Sequence, residues 1–311
     1  MKCHSKQKGR QSGMALLMVI GVVSLLVAIV ISLRSSSEAT WDENTLSRLR
    51  FQAHLLAESG ANLALHPDIE PGDPVLQHTF EDGRSFTVTI KTEGGRILVN
   101  NLADEATLLG VTELFIRWGL DATTAAVAAE SLADWVDTDA EARNNGAEQA
   151  FYASLDHPEF PTNEAFSNLE TMLLVRGMDE VARIQPLWRD YFTIYGDGLI
   201  DLNSTAPEVI EAFLGVTRDA ALSFISNRSG GDGVDGTVDD ELITEEDEAR
   251  RILGISEQDW SEKSALITLE GSIRRIESVG QVGNQQVRLI VLTDSTGEGS
   301  ELASPVARYT E

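Results

Sequence analysis

An acidic loop in the middle of the chain has the residue types and spacing for metal binding. It contains Asn144, Asn145 and Gly146 among carboxylates, and hard oxygen ligands of this kind suit Ca²⁺ better than a transition metal. Asp134 and Asp137 are three residues apart and can share a helix face near the helix end, where a cation offsets their unfavourable interaction with the helix dipole. A solvated loop without metal is the alternative. The candidate ligands are Asp134, Asp137, Asp139, Glu141 and Glu148.

A second acidic stretch could also bind a cation. Its sequence is SGGDGVDGTVDDELITEED, and its glycines would allow carbonyl and carboxylate oxygens to converge. It lacks the ligand spacing and the terminal Glu of an EF-hand loop. A flexible acidic linker without metal is the alternative, and both interpretations stay open. The candidate ligands are Asp232, Asp235, Asp239, Asp240 and Glu241.

The sequence offers no recognisable catalytic group. No serine lies in a nucleophile elbow, and no glycine-rich phosphate loop is present. The single cysteine, Cys3, precedes the body of the chain and can form no disulfide within it. Histidines are scattered, and paired carboxylates are expected by chance in so acidic a chain. We therefore predict a protein that is not an enzyme.

The charge of the chain disfavours nucleic acid as a partner. The net charge is −26, and such a body repels phosphate backbones. A segment that resembles a helix-hairpin-helix could suggest DNA binding, but Arg218 and Arg228 are its only cations between Asp190 and Glu248. Packing is therefore the favoured use of this segment.

An uncharged apolar run, Met14–Leu33, follows a basic leader. As a helix this run would span roughly 30 Å of hydrocarbon, and the leader should stay in the cytoplasm. A cleavable signal usually has a shorter apolar region; a cut after Ala39 and an ordinary membrane anchor are the alternatives. The helical pattern continues beyond the run with an apolar stripe, which indicates a long spine helix. The stripe is formed by Leu46, Leu49, Ala53, Leu56, Gly60 and Leu63.

Strand patterns flank a long helical section. GRSFTVTI alternates before it, and a hairpin with a turn near Gly283–Asn284 follows it. Inside the section we expect helix ends at Gly119 and Gly215, and helix caps at Asp121 and Thr205. RILVN and LIDLN each precede a helix, a turn and an Ala-rich helix, which predicts two related helical units, 100–195 and 196–271.

The N-terminal region resembles a type IV prepilin signal. The resemblance rests on the basic leader ending in glycine, the apolar helix and the continuation AESGANLAL. It implies cleavage between Gly13 and Met14 by a prepilin peptidase, methylation of the new amine on Met14, and retention of the helix. Most prepilins carry Glu at the fifth mature position, where this chain has Met18. A subunit without that Glu cannot pair with a neighbour's terminal ammonium, which would fit the tip of a filament.

Three further motifs extend the resemblance to a family. DWVDTDAEARNNGAEQAFY, FSNLETMLLVRGM and LIDLNSTAPEVIEAF follow in order, and with the leader they look like the type II secretion minor pseudopilins of the general secretion pathway protein K family. The resemblance implies an α+β fold: a pilin-like transmembrane and spine helix with a small antiparallel sheet, interrupted by a large, mostly helical domain that is SAM-like or helix-hairpin-helix-like. The expected segments are a leader (1–13), a transmembrane helix (14–33), its continuation (34–66), pilin-like strands (67–99), the inserted domain (100–271) and C-terminal strands (272–311).

The resemblance also implies partners and a location. The partners would be I-like and J-like minor pseudopilins, other pseudopilins, the prepilin peptidase and an inner-membrane assembly platform. The protein would be a single-pass inner-membrane protein of a Gram-negative bacterium, with its body in the periplasm, and would initiate and cap a filament that drives export of folded exoproteins. The family is associated with calcium, which favours Ca²⁺ as a cofactor. The alternatives are a minor pilin of a type IV pilus and a signal-anchored periplasmic calcium-binding enzyme.

Overall fold

The computed structural model describes residues 10–294 and 305–310, and confirms the predicted mixture of helices and antiparallel strands. The α-helices of this part of the chain are α1 Arg10–Ala64, α2 Glu105–Trp118, α3 Ala122–Val136, α4 Gln149–Ala153, α5 Met178–Ile184, α6 Pro207–Leu214, α7 Arg218–Arg228, α8 Glu246–Leu253 and α9 Glu257–Lys263. The strands are β1 Gln77–Thr79, β2 Ser85–Thr92, β3 Ile97–Leu98, β4 Phe192–Thr193, β5 Ile200–Asp201, β6 Ile267–Thr268, β7 Ile273–Val282, β8 Gln285–Asp294 and β9 Pro305–Thr310.

The C-terminal part of α1 packs on an antiparallel sheet. Within the described residues, the strand order of this sheet is β1-β2-β7-β8-β9. Phe86, Val88 and Ile90 alternate along β2 and are buried, as the period of two predicted. The helix contributes small side chains, which allow the backbones to approach closely. These buried positions are Ala53, Ala57, Gly60, Ala61 and Ala64.

The helical section is inserted between β2 and β7 and has its own core. β3 pairs in parallel with β4, and β5 pairs in parallel with β6. β3 and β4 bring together the beginning and the end of the first helical unit, near residues 97 and 193. β5 and β6 do the same for the second unit, near residues 200 and 268. The units share one continuous apolar core, which contains the fully buried Trp135 and Trp188. α2 and α6 approach closely because Gly110 lies against the ring of Phe213.

Helix ends in this section follow local chemistry at most of the predicted positions. Gly119 and Gly215 adopt the left-handed conformation after α2 and α6. Asp121 caps α3 by accepting hydrogen bonds from the backbone N–H groups of Thr123 and Thr124. The predicted cap at Thr205 is wrong. The chain turns one residue later, so that Ala206 is the N-cap and Pro207 begins α6.

The segment NLETMLLVRGM contains one short helix and the first residue of the next. Leu169–Leu174 form a 3₁₀ helix, and α5 begins only at Met178. Gly177 has a φ of 86°, which is incompatible with a continuous right-handed helix. The break seats Gly177 against Ala128 of α3, where a Cβ atom would lie 3.0 Å from the Ala128 Cα.

Polar contacts fix the inserted domain to the sheet. Thr92 at the end of β2 donates a hydrogen bond to the buried Asp201 of β5. Lys91 of β2 lies 3.9 Å from the carboxylate of Asp235, in the loop after α7. The deepest contact is an ion pair between Arg275 of β7 and Glu93, both almost fully buried, at 2.9 Å. The inserted domain therefore contacts the antiparallel sheet through side chains as well as through the two chain connections.

Candidate functional site

The first acidic stretch forms the loop between α3 and α4. Asp137 is the C-cap of α3, and Glu148 is the N-cap of α4. The loop therefore places one carboxylate at the C-terminal, negative end of the α3 dipole and another at the N-terminal, positive end of the α4 dipole. Asn163 donates a hydrogen bond to the carbonyl of Asp139 and ties a following segment to this loop.

Three of the predicted carboxylates converge. Asp137, Asp139 and Glu148 each offer an oxygen, and these atoms all lie within 4.8 Å of one another. Within 10–294 and 305–310, no other set of three acidic, histidine or cysteine side chains brings its ligand atoms so close. Asp137 is half-buried, Asp139 is exposed and Glu148 is buried, so the group opens to solvent on one side.

Asp134 and Glu141 have other roles. Asp134 is fully buried and accepts hydrogen bonds from the backbone N–H of Arg143, at 3.2 Å, and from its guanidinium, at 2.9 Å. Burial raises the pKa of Asp134, although Arg143 opposes that shift. A Cβ on Gly146 would lie 1.9 Å from Asp134 Oδ2, so only glycine fits there. The Glu141 side chain is exposed, and its backbone N–H donates to Asp139 Oδ1 at 2.8 Å.

The converging carboxylates retain oxygen atoms that can bind a cation. Asp137 Oδ1 and Glu148 Oε1 are buried and accept no hydrogen bond from any described residue. Burial raises the pKa of Glu148, and the charges of Asp134, Asp137 and Asp139 raise it further. Unsatisfied buried acceptors are costly, and a hard cation would satisfy both. The residues present therefore fit Ca²⁺.

Two residues outside the predicted ligand set shape this loop. Arg143 donates to both Asp134 and Asp137 and so uses part of their capacity. Glu130 of α3 accepts hydrogen bonds from the backbone N–H of Asn145, at 2.6 Å, and from its side chain, at 2.9 Å. A lone arginine within an acidic loop was the available signal for Arg143. The role of Glu130 depends on the folded path of the loop and had no local signal.

The second acidic stretch forms a loop whose carboxylates serve the loop itself. Asp239 accepts hydrogen bonds from the backbone N–H groups of Gly231 and Asp232, at 2.8 and 3.0 Å. Asp240 accepts one from Gly236 at 2.6 Å, and Asp235 accepts one from Arg228 at 3.0 Å. The candidates predicted here, Asp232, Asp235, Asp239, Asp240 and Glu241, are not brought together as a ligand group because glycine-rich backbone competes for their oxygens.

The predicted cleavage position lies near the start of α1. Residues 1–9 of the predicted leader are outside the described residues, whereas Gly13 and Met14 belong to α1. Met14 is 66% exposed and Met18 is 70% exposed. Large apolar side chains remain exposed along α1 through Ile31. The N-terminal part of α1 therefore lacks the sheet contacts that cover its C-terminal part.

A search for membrane spans among the described residues identifies no helix of sufficient length and hydropathy.

Comparisons with known proteins converge on one system. Residues 95–187 match the family described as type II secretion system (T2SS), protein K. The fold is similar to that of a chain in the crystal structure of the GspK–GspI–GspJ complex from the enterotoxigenic Escherichia coli type 2 secretion system, with a TM-score of 0.61. The sequence identity is 15%, and the match covers 89% of this chain and 99% of that chain. No curated protein matches the chain in sequence. Residues 95–187 are therefore similar to type II secretion system protein K, and most of the chain has the fold of a chain in that complex.

Proposed function

We propose that this chain is a minor pseudopilin at the tip of the type II secretion pseudopilus, where it initiates and caps assembly and thereby supports export of folded exoproteins. The observation that carries the proposal is the combination of a protein K domain at 95–187 with a long helix that leaves the sheet. α1 has 55 residues, which corresponds to roughly 80 Å of helix. Such a helix can serve as both anchor and assembly spine.

The exposed part of α1 supports lateral assembly in a membrane. The run Met14–Leu33 carries no charged residue, and its described side chains are exposed to solvent in the isolated chain. Lipid can cover these side chains before assembly, and the equivalent helices of other subunits can cover them afterwards. We infer single-pass anchoring in the inner membrane, with the body in the periplasm, from this run and the basic leader.

Two features support a position at the tip. Position five after the proposed cut is Met18 rather than a carboxylate, so this subunit cannot neutralise the ammonium of a neighbour. The inserted domain also adds a large folded body beside the sheet, and its bulk would hinder stacking of another subunit above it. α1 can still pack laterally against the helices of other subunits, whereas addition of a further subunit above this one is disfavoured.

The proposed partners are I-like and J-like minor pseudopilins. The structure with a similar fold is of a complex that contains GspK, GspI and GspJ. A prepilin peptidase and an inner-membrane assembly platform follow from the prepilin-like leader. Ca²⁺ is the proposed cofactor of the loop after α3, held by Asp137, Asp139 and Glu148. Its charge would stabilise the loop structurally, and no catalytic step is assigned to it.

The mature N-terminus tests the proposal most directly. The full chain is purified from membranes of a bacterium that expresses the secretion system, and its terminus is determined by mass spectrometry. We expect a chain that begins at Met14 with a methylated amine. An intact Met1, or a start at Thr40, would contradict the proposal and favour a signal-anchored protein.

Co-purification distinguishes the pseudopilin from a type IV minor pilin. The full chain, solubilised in mild detergent, should bring the I-like and J-like minor pseudopilins with it. Recovery of pilus subunits in their place would assign the chain to a type IV pilus.

A further inference from the structure

A cavity of about 360 Å³ lies at the junction between the antiparallel sheet and the inserted domain. The sheet contributes Lys91 from β2 and Arg275 from β7. The inserted domain contributes Thr205, just before α6, and Arg228 at the end of α7. The cavity is far along the chain from the acidic loop after α3 and shares no lining residue with it.

The lining of the cavity has more cations than carboxylates, in an otherwise acidic protein. Among the described residues that line it, the cations are Lys91, Arg96, Arg228 and Arg275, and the carboxylates are Asp190, Asp235 and Glu277. These charges sum to +1, whereas the chain as a whole carries −26. The N-terminus of α6 adds its positive dipole end, because Ala206 and Pro207 also line the cavity. Ala206 is the N-cap, and its methyl group cannot accept a hydrogen bond from the helix.

Three buried polar atoms of lining residues have no partner among the described residues. They are Thr205 Oγ1, Arg228 Nε and Arg275 Nη2. Thr205 is 0% exposed, and both arginines are 3% exposed. The remaining nitrogens of these guanidinium groups are used. Arg228 donates to Asp235 at 3.0 Å and to the carbonyl of Leu202. Arg275 donates to Glu277 at 2.6 Å and to the buried Glu93 at 2.9 Å, and these two carboxylates already compensate its charge. Buried donors of charged groups are costly to leave unsatisfied.

We propose that this cavity binds a small inorganic oxyanion of the phosphate or sulfate type. Such an anion accepts several hydrogen bonds at once and matches the planar fork of a guanidinium. It could accept from Arg228 Nε, Arg275 Nη2 and the Thr205 hydroxyl, and it would reverse the positive charge of the lining. A helix N-terminus with an uncapped end is a further favourable position for an oxyanion.

Occupation of the cavity would couple the inserted domain to the sheet. The groups that would contact the anion come from β7 on one side and from the segments around α6 and α7 on the other. A ligand that binds only the native chain stabilises it by an amount that grows with the logarithm of ligand concentration above the Kd. The bound anion would thus link the antiparallel sheet to the inserted domain reversibly.

Thermal unfolding of the full chain in detergent tests the proposal, with inorganic phosphate as the probe. Phosphate replaces chloride at constant ionic strength, and no calcium is added. We expect the Tm of the wild type to rise with the logarithm of phosphate concentration once that concentration exceeds the Kd. Arg96→Gln and Lys91→Gln should each weaken the apparent phosphate affinity about tenfold or more, because each removes one cation from the lining. Neither position is fully buried, so both variants should fold, which circular dichroism checks.

The matched control is Arg183→Gln. Arg183 is an exposed arginine of α5, paired with Glu180, and does not line the cavity. Phosphate also stabilises proteins by exclusion from their surface, and that effect would be the same in all variants. Among the described pockets, this cavity is lined by both Lys91 and Arg96, whereas each of the other pockets with one of these residues lacks the other. Weaker phosphate binding in both variants, with unchanged binding in Arg183→Gln, therefore supports the site. Equal rises in Tm in the wild type and all variants, or no rise in the wild type, would overturn it.

Discussion

Arg143 lies among the carboxylates of the loop after α3 and divides them into two groups. Its guanidinium and backbone hold Asp134, which is fully buried and closes the loop from inside. Asp139, the buried Glu148 and the unpaired Oδ1 of Asp137 accept no hydrogen bond from this arginine. The arginine thus compensates the charge that the fold has buried and leaves the remaining charge available to a cation.

Calcium binding should depend on Asp139 and be independent of Glu141. Asp139→Asn removes one of three converging charges but keeps an oxygen that can accept from the Glu141 backbone. Glu141→Gln removes a charge two residues away, outside the group. We expect Asp139→Asn to weaken Ca²⁺ binding about tenfold or more, a loss of about 1.4 kcal/mol, and Glu141→Gln to have little effect. Isothermal titration calorimetry on the full chain in detergent measures both. Equal losses in the two variants, or no calcium binding by the wild type, would refute the site.

The residue types of the acidic loop could be read from the sequence, but not which of its carboxylates converge. Five acids in fifteen residues predicted a cation site, and all five lie on or beside one loop. Their roles depend on burial: Asp134 faces inward because it belongs to the core-facing side of α3, and Glu141 points to solvent. The glycine-rich second stretch has a similar composition, but its N–H groups take up the carboxylates locally. Composition alone cannot separate these outcomes.

Among the elements, α1 and β7 approach each other closely at Gly280. Gly280 of β7 lies under the helix, where a Cβ atom would be 2.0 Å from the carbonyl oxygen of Ala53 and 2.6 Å from the backbone nitrogen of Ala57. Gly60 of α1 lies opposite Ser278, so glycines reduce the separation from both sides. α1 therefore packs closely on the sheet for two reasons: Gly60 and Gly280 have no side chains to hold the backbones apart, and apolar side chains fill the surrounding contact.

Gly280→Ala should destabilise the body of the protein substantially. The new methyl group would meet helix backbone, which can move only with the whole helix, so we expect a loss of about 1–3 kcal/mol in the free energy of unfolding. Ser278→Ala is the matched control on the same strand. It removes a buried hydroxyl that has no partner among the described residues, and its effect should stay within about 0.5 kcal/mol. Chemical denaturation of the full chain in detergent measures both. A Gly280→Ala protein as stable as Ser278→Ala would show that the helix can shift.

Elements with local determinants could be predicted, and those formed by distant pairing could not. The turn at Gly283–Asn284 and the helix ends at Gly119 and Gly215 follow from one or two residues. β3 and β4 have two residues each and exist because Ile97 pairs with Phe192 across the folded insertion. Nothing in so short a stretch marks it as a strand. The cap at Thr205 failed because the decisive feature was the fixed φ of Pro207 at the first helical position.

At the scale of the whole molecule, one buried network joins three parts. Arg275 of β7 donates to Glu93 at 2.9 Å and to the hydroxyl of Tyr309 in β9 at 3.1 Å. Thr193 of β4 donates to the other oxygen of Glu93 at 2.5 Å. Burial alone would lower the pKa of Arg275, but the charges of Glu93 and Glu277 outweigh it and raise that pKa. The sheet, its last strand and the inserted domain therefore share one ion-pair network.

Arg275→Met should destabilise the chain more than a surface substitution. It leaves Glu93, 1% exposed, without its compensating charge, and breaking a buried pair in this way costs about 3–5 kcal/mol. The double variant Arg275→Met/Glu93→Gln removes both charges and should recover part of the loss. The free energy of unfolding of both variants, from chemical denaturation of the full chain in detergent, provides the comparison. A double variant no more stable than the single one would mean that packing, rather than charge, dominates at Arg275.

The register of β2 with β7 has a consequence for how such a molecule can be enlarged. Thr92, the last residue of β2, lies opposite Arg274, next to the first residue of β7. The chain thus departs for the insertion and comes back at adjoining positions, as the ends of a hairpin would. A different domain inserted at this junction, in evolution or by grafting, could preserve the pairing of β2 with β7 if it also replaced the contacts that Thr92 and Glu93 make with the present insertion.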